Sequence, residues 1–264
     1  MVTPQPDKPS EGYTNSPLVD YVKISPNRTS PRNHKIDTIT IHCVVGQCSV
    51  ETLGNVFAPS SRQASSNYGI GYDGKIGMYV EEKDRSWCSS NAANDHRAIT
   101  IEVASDTTDP YAVNDKAYAA LIELLVDICK RNNIKQLKWK GDKSLIGQVD
   151  KQNMTVHRWF DNKECPGDFL YERHGAIADA VNKKLGVTTT IPSTPVVEET
   201  TNKFPYLVRI NTAVLNVRAG AGTNYKVNTQ VKKNQVYTIV DEKNGWGKLK
   251  SGAGWISLNY TIKL

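Results

Sequence analysis

A Thr- and Pro-rich segment at residues 186–203, GVTTTIPSTPVVEETTNK, breaks the pattern of the chain. It has neither the 3.6-residue apolar period of a helix nor the alternation of a half-buried strand, and such compositions form extended, semi-stiff connectors. The chain has 264 residues, which is enough for two ordinary domains. We therefore expect one domain at residues 1–186 and a second at 205–264, joined by a linker at 187–204.

The three parts differ in charge. The chain carries 33 Lys and Arg against 27 Asp and Glu, a formal net charge of +6. Residues 1–186 contain 23 basic and 23 acidic side chains, the linker one and two, and residues 205–264 nine and two. A surplus confined to the last sixty residues suggests that this domain meets a polyanion, without identifying which one.

Composition also bears on location and redox state. No apolar run approaches the roughly 18–20 residues of a membrane span, and the first residues lack the basic and apolar regions of a signal peptide. We therefore expect synthesis in the cytoplasm without a signal for export. The five cysteines are an odd number, which favours reduced thiols, one of them available as a metal ligand, over a disulfide framework. They are Cys43, Cys48, Cys88, Cys129 and Cys165.

The first domain combines strand and helix patterns. Helices are expected from a cap near Asn114 to Asn132-Asn133, and from a cap at Asp168 to Gly186. Interleaved strands and helices predict an α/β fold, a mixed central sheet flanked by helices. The expected strands are DTITIHCVV (37–45), AITIEVA (98–104), MTVHRWF (154–160) and a hairpin in NYGIGYDGKIGMYV (67–80) that turns at Asp73-Gly74.

The last sixty residues show no helical period. Short β-favouring runs alternate with Gly and Asn turns, which is typical of a small all-β barrel. The runs are LVRINTAVLNVR, KVNTQV, QVYTIVDEKNGWGKLK and GWISL.

Three side chains are of the types that bind catalytic zinc. His42 and His157 each end a predicted strand, and Cys165 follows His157 by eight residues. The Pro166-Gly167 turn and the following helix N-terminus are expected to lower the pKa of the Cys165 thiol. A zinc hydrolase needs three such ligands and a free position for water. This spacing alone matches no closed zinc pattern, and a single His at a strand end is more often structural.

The order of ITIHCVV, SSNYGIGYDGKIGMYVEEKDRSW, AITIEVA and TVHRWFDNKECPGD resembles the zinc-dependent N-acetylmuramoyl-L-alanine amidases of the phage-lysin and peptidoglycan-recognition type. The resemblance covers about residues 33–185. It implies that His42, His157 and Cys165 bind one catalytic zinc ion. It also implies hydrolysis of the amide between N-acetylmuramic acid and the L-alanine of the stem peptide.

The same resemblance suggests roles for two further residues. Glu102, in AITIEVA, matches a carboxylate that acts as general base, and Lys163 matches a lysine that stabilises the oxyanion. The alternatives are a charge at a sheet edge for Glu102 and a solvated turn residue for Lys163. Cys165 suits a metal ligand better than a nucleophile of a Cys-His pair.

The chain departs from this family at two places. Ser66-Asn67 stands where some relatives have a Tyr-His pair, so more of the proton transfer would fall on Glu102. Cys88 stands where a His is common, and we expect Cys88 and Cys43 to be small buried apolar residues.

The segment LNVRAGAGTNYKVNTQVKKNQVYTIVDEKNGWGKLKSGAGWISLNYT resembles the bacterial-type SH3 domain over residues 208–262. In cell-wall enzymes such a domain commonly holds the enzyme on peptidoglycan. Its basic surplus would favour a wall bearing anionic polymers such as teichoic acids. The alternative is a generic solvated basic face.

Together these patterns predict a peptidoglycan-cleaving zinc amidase, an endolysin of a phage or prophage of a Gram-positive host that acts on the cell wall after release. One alternative is a non-catalytic peptidoglycan-binding protein, although the turn cysteine argues against it. The other is a cytoplasmic amidase that recycles anhydro-muropeptides, although the wall-type domain argues against that. We expect no nucleic-acid partner, because the basic domain lacks a recognisable stacking platform.

Overall fold

The computed structural model describes residues 14–187, 204–222, 225–243 and 245–264. The chain divides into two compact units, Met1–Thr189 and Thr190–Leu264. Except for its first and last residues, the expected linker 187–204 lies outside the described part. Among the described helices, none combines the length and the apolar character needed to cross a membrane.

The first unit is built on a mixed six-stranded sheet with the order β1-β5-β4-β7-β3-β8. Only the β4–β5 hairpin is antiparallel, and the other neighbours run parallel. Strands β2 and β6 form a separate antiparallel pair. The strands are β1 (Tyr21–Val22), β2 (Arg28–Thr29), β3 (Thr38–Cys43), β4 (Tyr68–Ile70), β5 (Ile76–Met78), β6 (Arg85–Ser86), β7 (Ala98–Val103) and β8 (Met154–Thr155).

Helices pack on this sheet, as expected for the α/β class. The longest two, α3 and α4, contact each other, and α4 also packs against β3. The helix α3 begins as predicted, because the Asn114 side chain accepts a hydrogen bond from the backbone of Ala117 at 3.0 Å. The helices are α1 (Val50–Phe57), α2 (Ala92–Arg97), α3 (Asp115–Arg131) and α4 (Gly167–Lys184), with 3₁₀ turns at Ser60–Arg62, Lys143–Leu145 and His157–Trp159.

Strand β3 lies inside the sheet between β7 and β8, and all six of its residues are buried. Its alternating pattern therefore does not separate a core face from a solvent face. The polar positions form a second buried face, where Thr40 Oγ1 and Thr155 Oγ1 lie 2.8 Å apart. A hydrogen-bonded threonine can be buried at little cost, which explains how the polar positions of β3 are accommodated inside the domain.

Two local expectations need correction. The strand expected in MTVHRWF is only Met154–Thr155, and His157 does not end a strand but begins a 3₁₀ turn. Strand β8 is short because it lies at the sheet edge and pairs with β3 only at Ile39 and Thr40. Asp168 is not the cap of α4. The helix begins at Gly167, which has a φ of +78°, so Asp168 lies in its first turn.

The second unit is all β, as expected. Its seven strands form one antiparallel sheet in the order β11-β10-β14-β13-β12-β9-β15. Alternate residues of these strands face a small core that includes Val208, Val217, Ile239 and Ile256. The strands are β9 (Tyr206–Ile210), β10 (Val214–Arg218), β11 (Val227–Lys232), β12 (Val236–Lys243), β13 (Trp246–Leu249), β14 (Trp255–Ser257) and β15 (Thr261–Lys263), with a 3₁₀ turn at Leu258–Tyr260.

Candidate active site

The site forms at the carboxyl ends of the two central strands. His42 is the fifth residue of β3 and Glu102 the fifth of β7, and they are paired in the parallel register. Side chains that are paired in register point to the same face of a sheet. The two residues, sixty positions apart in sequence, are therefore neighbours.

His157 and Cys165 reach His42 from the segment between β8 and α4. The backbone N–H of Arg158 donates to the Cys165 carbonyl at 3.0 Å, which closes this segment into a loop. The Cys165 Sγ lies 3.3 Å from His42 Nδ1, and the rings of His42 and His157 are 5.1 Å apart. One donor atom from each of His42, His157 and Cys165 lies within 4.8 Å of the other two.

These three residues fit a zinc ion. Two imidazoles and a thiol are the donor types that zinc prefers, and three ligands leave a fourth position open. His42 is fully buried, and its Nε2 has no hydrogen-bond partner. Burial, followed by the nearby His157 and His174, lowers the pKa of His42 to about 3. The ring is therefore held in the neutral form that binds metal.

The electrostatics of Cys165 differ from the expectation. Its pKa lies above, not below, the ordinary value of a thiol, because it hydrogen-bonds with Cys43 and is buried. The expected effect of the helix N-terminus is thus outweighed by its other surroundings. A cation bound beside the sulfur would stabilise the thiolate and reverse this shift.

Glu102 is a carboxylate without a full set of partners. Its Oε2 is shielded from solvent and has no hydrogen-bond partner among the residues that the structure describes, and the Cys88 thiol lies 3.9 Å from Oε1. Burial, with a further contribution from Cys43, raises the pKa of Glu102 to about 8. A buried acid with a raised pKa next to candidate metal ligands has the properties of a general base or acid.

Cys88 departs from the apolar role expected for it. It is only partly buried, whereas Cys43 is buried as expected. Donor atoms of His42, Cys88 and Glu102 also lie within 4.8 Å of one another. Because this group shares His42 with the first, the two form one composite site around a single histidine.

A groove of about 550 Å³ opens onto these residues. Glu102, His157 and Lys163 all line it, so the structure brings Lys163 to the site although its side chain is exposed. Arg62 and Arg85 line the same groove, which therefore offers three cations to a substrate.

Sequence reasoning missed two residues at the site. Ser90 Oγ lies 3.1 Å from His157 Nε2 and 3.2 Å from Asp161 Oδ2. Asp161 lies only four residues after His157 in TVHRWFDNKECPGD, so its closeness in sequence to a candidate ligand could have indicated it. Nothing in the sequence indicates Ser90, which reaches the site because its backbone adopts a φ of +58°.

Comparison with known sequences assigns the chain to a family. The profile of the N-acetylmuramoyl-L-alanine amidase family matches residues 32–168, just over half of the chain. The chain belongs to this family. A second profile, that of the bacterial SH3 domain, matches residues 213–262 of the amidase. No curated protein sequence matches it significantly.

Several solved structures resemble the amidase. A mutant endolysin from Bacillus subtilis is 18% identical, and the match covers 62% of this chain and 99% of that one with a TM-score of 0.46. The endolysin N-acetylmuramoyl-L-alanine amidase LysCS from Clostridium intestinale URNW is 16% identical, with 67% and 100% covered and a TM-score of 0.43. At these values the family assignment rests on the sequence profile.

Proposed function

We propose that the amidase binds one zinc ion through His42, His157 and Cys165, and that it uses Glu102 as general base and Lys163 to stabilise the oxyanion. The observation that carries this proposal is the meeting of three donor atoms within 4.8 Å beside the unpartnered Glu102 oxygen. When bound, zinc supplies a Lewis acid and lowers the pKa of water. The bond cleaved is the amide between N-acetylmuramic acid and L-alanine.

Glu102 would accept a proton from the attacking water at Oε2, the oxygen that no protein group occupies. Its raised pKa makes the carboxylate a stronger base than an exposed glutamate. The same proton can then pass to the leaving nitrogen of L-alanine, because Glu102 lines the groove.

Lys163 would act on the developing negative charge. Lys163 lines the groove that His157 and Glu102 also line, and a cation there would stabilise an oxyanion more than the neutral amide. Arg62 and Arg85 lie along the same groove and would meet carboxylates of the stem peptide.

The decisive experiment is mass spectrometry of muropeptides after digestion of purified walls, with zinc measured by elemental analysis. We expect new L-alanine amino termini and one zinc per chain. His157→Ala should lose both zinc and activity, whereas His34→Ala, at a half-buried histidine outside the donor groups, should retain them. Zinc-free but active enzyme, or binding without cleavage, would contradict the proposal.

We further propose that residues 1–186 form the catalytic domain, 187–204 a linker and 205–264 a wall-binding domain, and that the protein is an endolysin acting on Gram-positive walls. Eight of the nine basic side chains of the last part are exposed, which suits anionic wall polymers. A chain cut after residue 186 should keep its rate on soluble muropeptides but bind and lyse walls more slowly. Walls stripped of anionic polymer should abolish this difference, and so should high salt. Equal rates for both chains on untreated walls would contradict the targeting role.

A further inference from the structure

Ser90 and Asp161 form a short hydrogen-bond chain that ends on a candidate metal ligand. Asp161 Oδ2 lies 3.2 Å from Ser90 Oγ, and Ser90 Oγ lies 3.1 Å from His157 Nε2. We propose that these two residues fix the tautomer of His157, with the proton on Nε2 and the lone pair on Nδ1 free for metal. This inference rests on the ligand role proposed above for His157.

The direction of each hydrogen bond follows from counting protons. A carboxylate can only accept, so the single hydroxyl proton of Ser90 is donated to Asp161. Ser90 Oγ is then left as an acceptor toward the ring, and Nε2 of His157 must donate to it. A neutral imidazole has one N–H, so Nδ1 carries the lone pair. An acidic group that orients a metal-binding histidine in this way tunes its affinity.

The backbone of Ser90 supports a role for its hydroxyl. Its φ of +58° lies in the left-handed region, which glycine adopts freely and other residues adopt at a conformational cost. The preceding residue is held firmly, since Ser89 Oγ donates to Asp95 Oδ1 at 2.5 Å. Asn91 caps the helix that follows. The neighbours of Ser90 thus hold its backbone in a strained conformation. Strain of this kind at a site residue supports a functional role for that residue.

The carboxylate of Asp161 is itself oriented. The backbone N–H of Asn162 donates to Asp161 Oδ1 at 2.8 Å, which leaves Oδ2 for Ser90. In Asp161→Asn the amide oxygen would take the place beside this N–H, and the NH₂ group would face Ser90. Ser90 would then accept from Asn, and its own proton would no longer be held by residue 161 and could be donated to Nε2. The exchange of one oxygen for nitrogen thus removes the constraint that keeps the proton of His157 on Nε2.

The test is ¹⁵N NMR of His157 in the metal-free full-length protein, together with zinc affinity from competition with a chromophoric chelator. Wild type should show a protonated Nε2 and an unprotonated Nδ1. Asp161→Asn should lose this preference, with both nitrogens partly protonated, and weaken zinc binding by about 10- to 100-fold. The control Asp168→Asn, an exposed aspartate that pairs with Arg158, should change neither readout.

A pair of Ser90 variants separates positioning from stability. Ser90→Gly and Ser90→Ala both remove the hydroxyl, but only glycine relieves the left-handed backbone. We expect both to lose the tautomer preference and about 10- to 100-fold in zinc affinity. The thermal midpoint of the metal-free protein should not fall in Ser90→Gly. Unchanged affinity and tautomer in Ser90→Gly and Asp161→Asn would overturn the inference. A wild type that binds no zinc would instead contradict the proposed metal site, so the two failures are distinguishable.

Discussion

Two glutamates near the central sheet differ in how their carboxylates are paired. Glu82 is fully buried, and its Oε1 accepts from Tyr68 at 2.6 Å and from Arg131 at 2.5 Å. Its Oε2 accepts from Asn132 at 2.9 Å. Within the described part of the chain, Glu102 has no such partners: one oxygen lies near the Cys88 thiol alone, and the other has no hydrogen-bond partner.

The difference separates a carboxylate that holds the fold together from one kept available for chemistry. A buried charge with a full set of hydrogen bonds and a guanidinium beside it stabilises the structure around it once folded. A carboxylate that is shielded from solvent without these partners costs stability. Its pKa rises because the neutral form is favoured, as it is for Glu102. The missing partners of Glu102 are those that water, substrate and metal would supply.

The largest effect is expected at Glu102. Glu102→Gln keeps the size of the side chain but removes the base, so kcat should fall by about 10²- to 10⁴-fold. The free energy of unfolding should stay the same or rise, because no hydrogen-bonded carboxylate is lost. Steady-state kinetics on soluble muropeptide and urea unfolding measure the two quantities. If Glu102→Gln keeps the wild-type kcat, Glu102 is not the general base.

The matched variant Glu82→Gln should show the reverse. Arg131 would lose the charge of its buried partner and keep Asp127, which lies 2.8 Å away, and the Thr14 carbonyl. We expect the free energy of unfolding to fall by about 3 kcal/mol, while kcat of the folded enzyme stays at the wild-type value. The same two measurements apply. If Glu82→Gln instead lowers kcat and leaves the free energy of unfolding unchanged, Glu82 and Glu102 do not differ in the way proposed.

Most of the fold could be predicted from the sequence, since its strong patterns are local. The central strands, the Asp73-Gly74 hairpin and the Asn114-capped helix all carry their own periodicity or turn chemistry. The predictions that were wrong concern the ends of elements, which depend on the tertiary structure. The strand before His157 is short because only β3 pairs with it, and neighbours along the chain do not encode that.

The site was predicted only in part, and for a comparable reason. The resemblance pointed to His42, His157 and Cys165, and the structure brings these three side chains together. The pKa of Cys165 could not be predicted from its place before a helix, because it depends on Cys43, which is distant in sequence. Ser90 could not be predicted either, because the sequence does not show that its backbone adopts the left-handed conformation.

His174 extends the comparison to a buried side chain with one unpartnered atom that belongs to neither group of possible metal ligands. Its Nδ1–H donates to the Leu170 carbonyl at 2.7 Å, while Nε2 has no partner and the ring packs on Trp139 at 4.5 Å. Burial lowers its pKa to about 4. If an unpartnered atom alone marked function, replacing this ring would affect zinc binding. We expect His174→Phe to leave zinc affinity unchanged.

Its effect should appear in the pH dependence of stability. The unfolded chain binds a proton at His174 near pH 6.5 and the folded protein only near pH 4, so stability is full above pH 6.5 and is lost as pH falls toward 4. Between about pH 7.5 and pH 5, this shift removes about 2 kcal/mol. His174→Phe should lose that much less than wild type in urea unfolding of the metal-free protein. An equal loss in His174→Phe would show that the pKa of His174 is the same in the folded and the unfolded chain. Its missing partner would then be water, and His174 would no longer be a structural counterpart to His42.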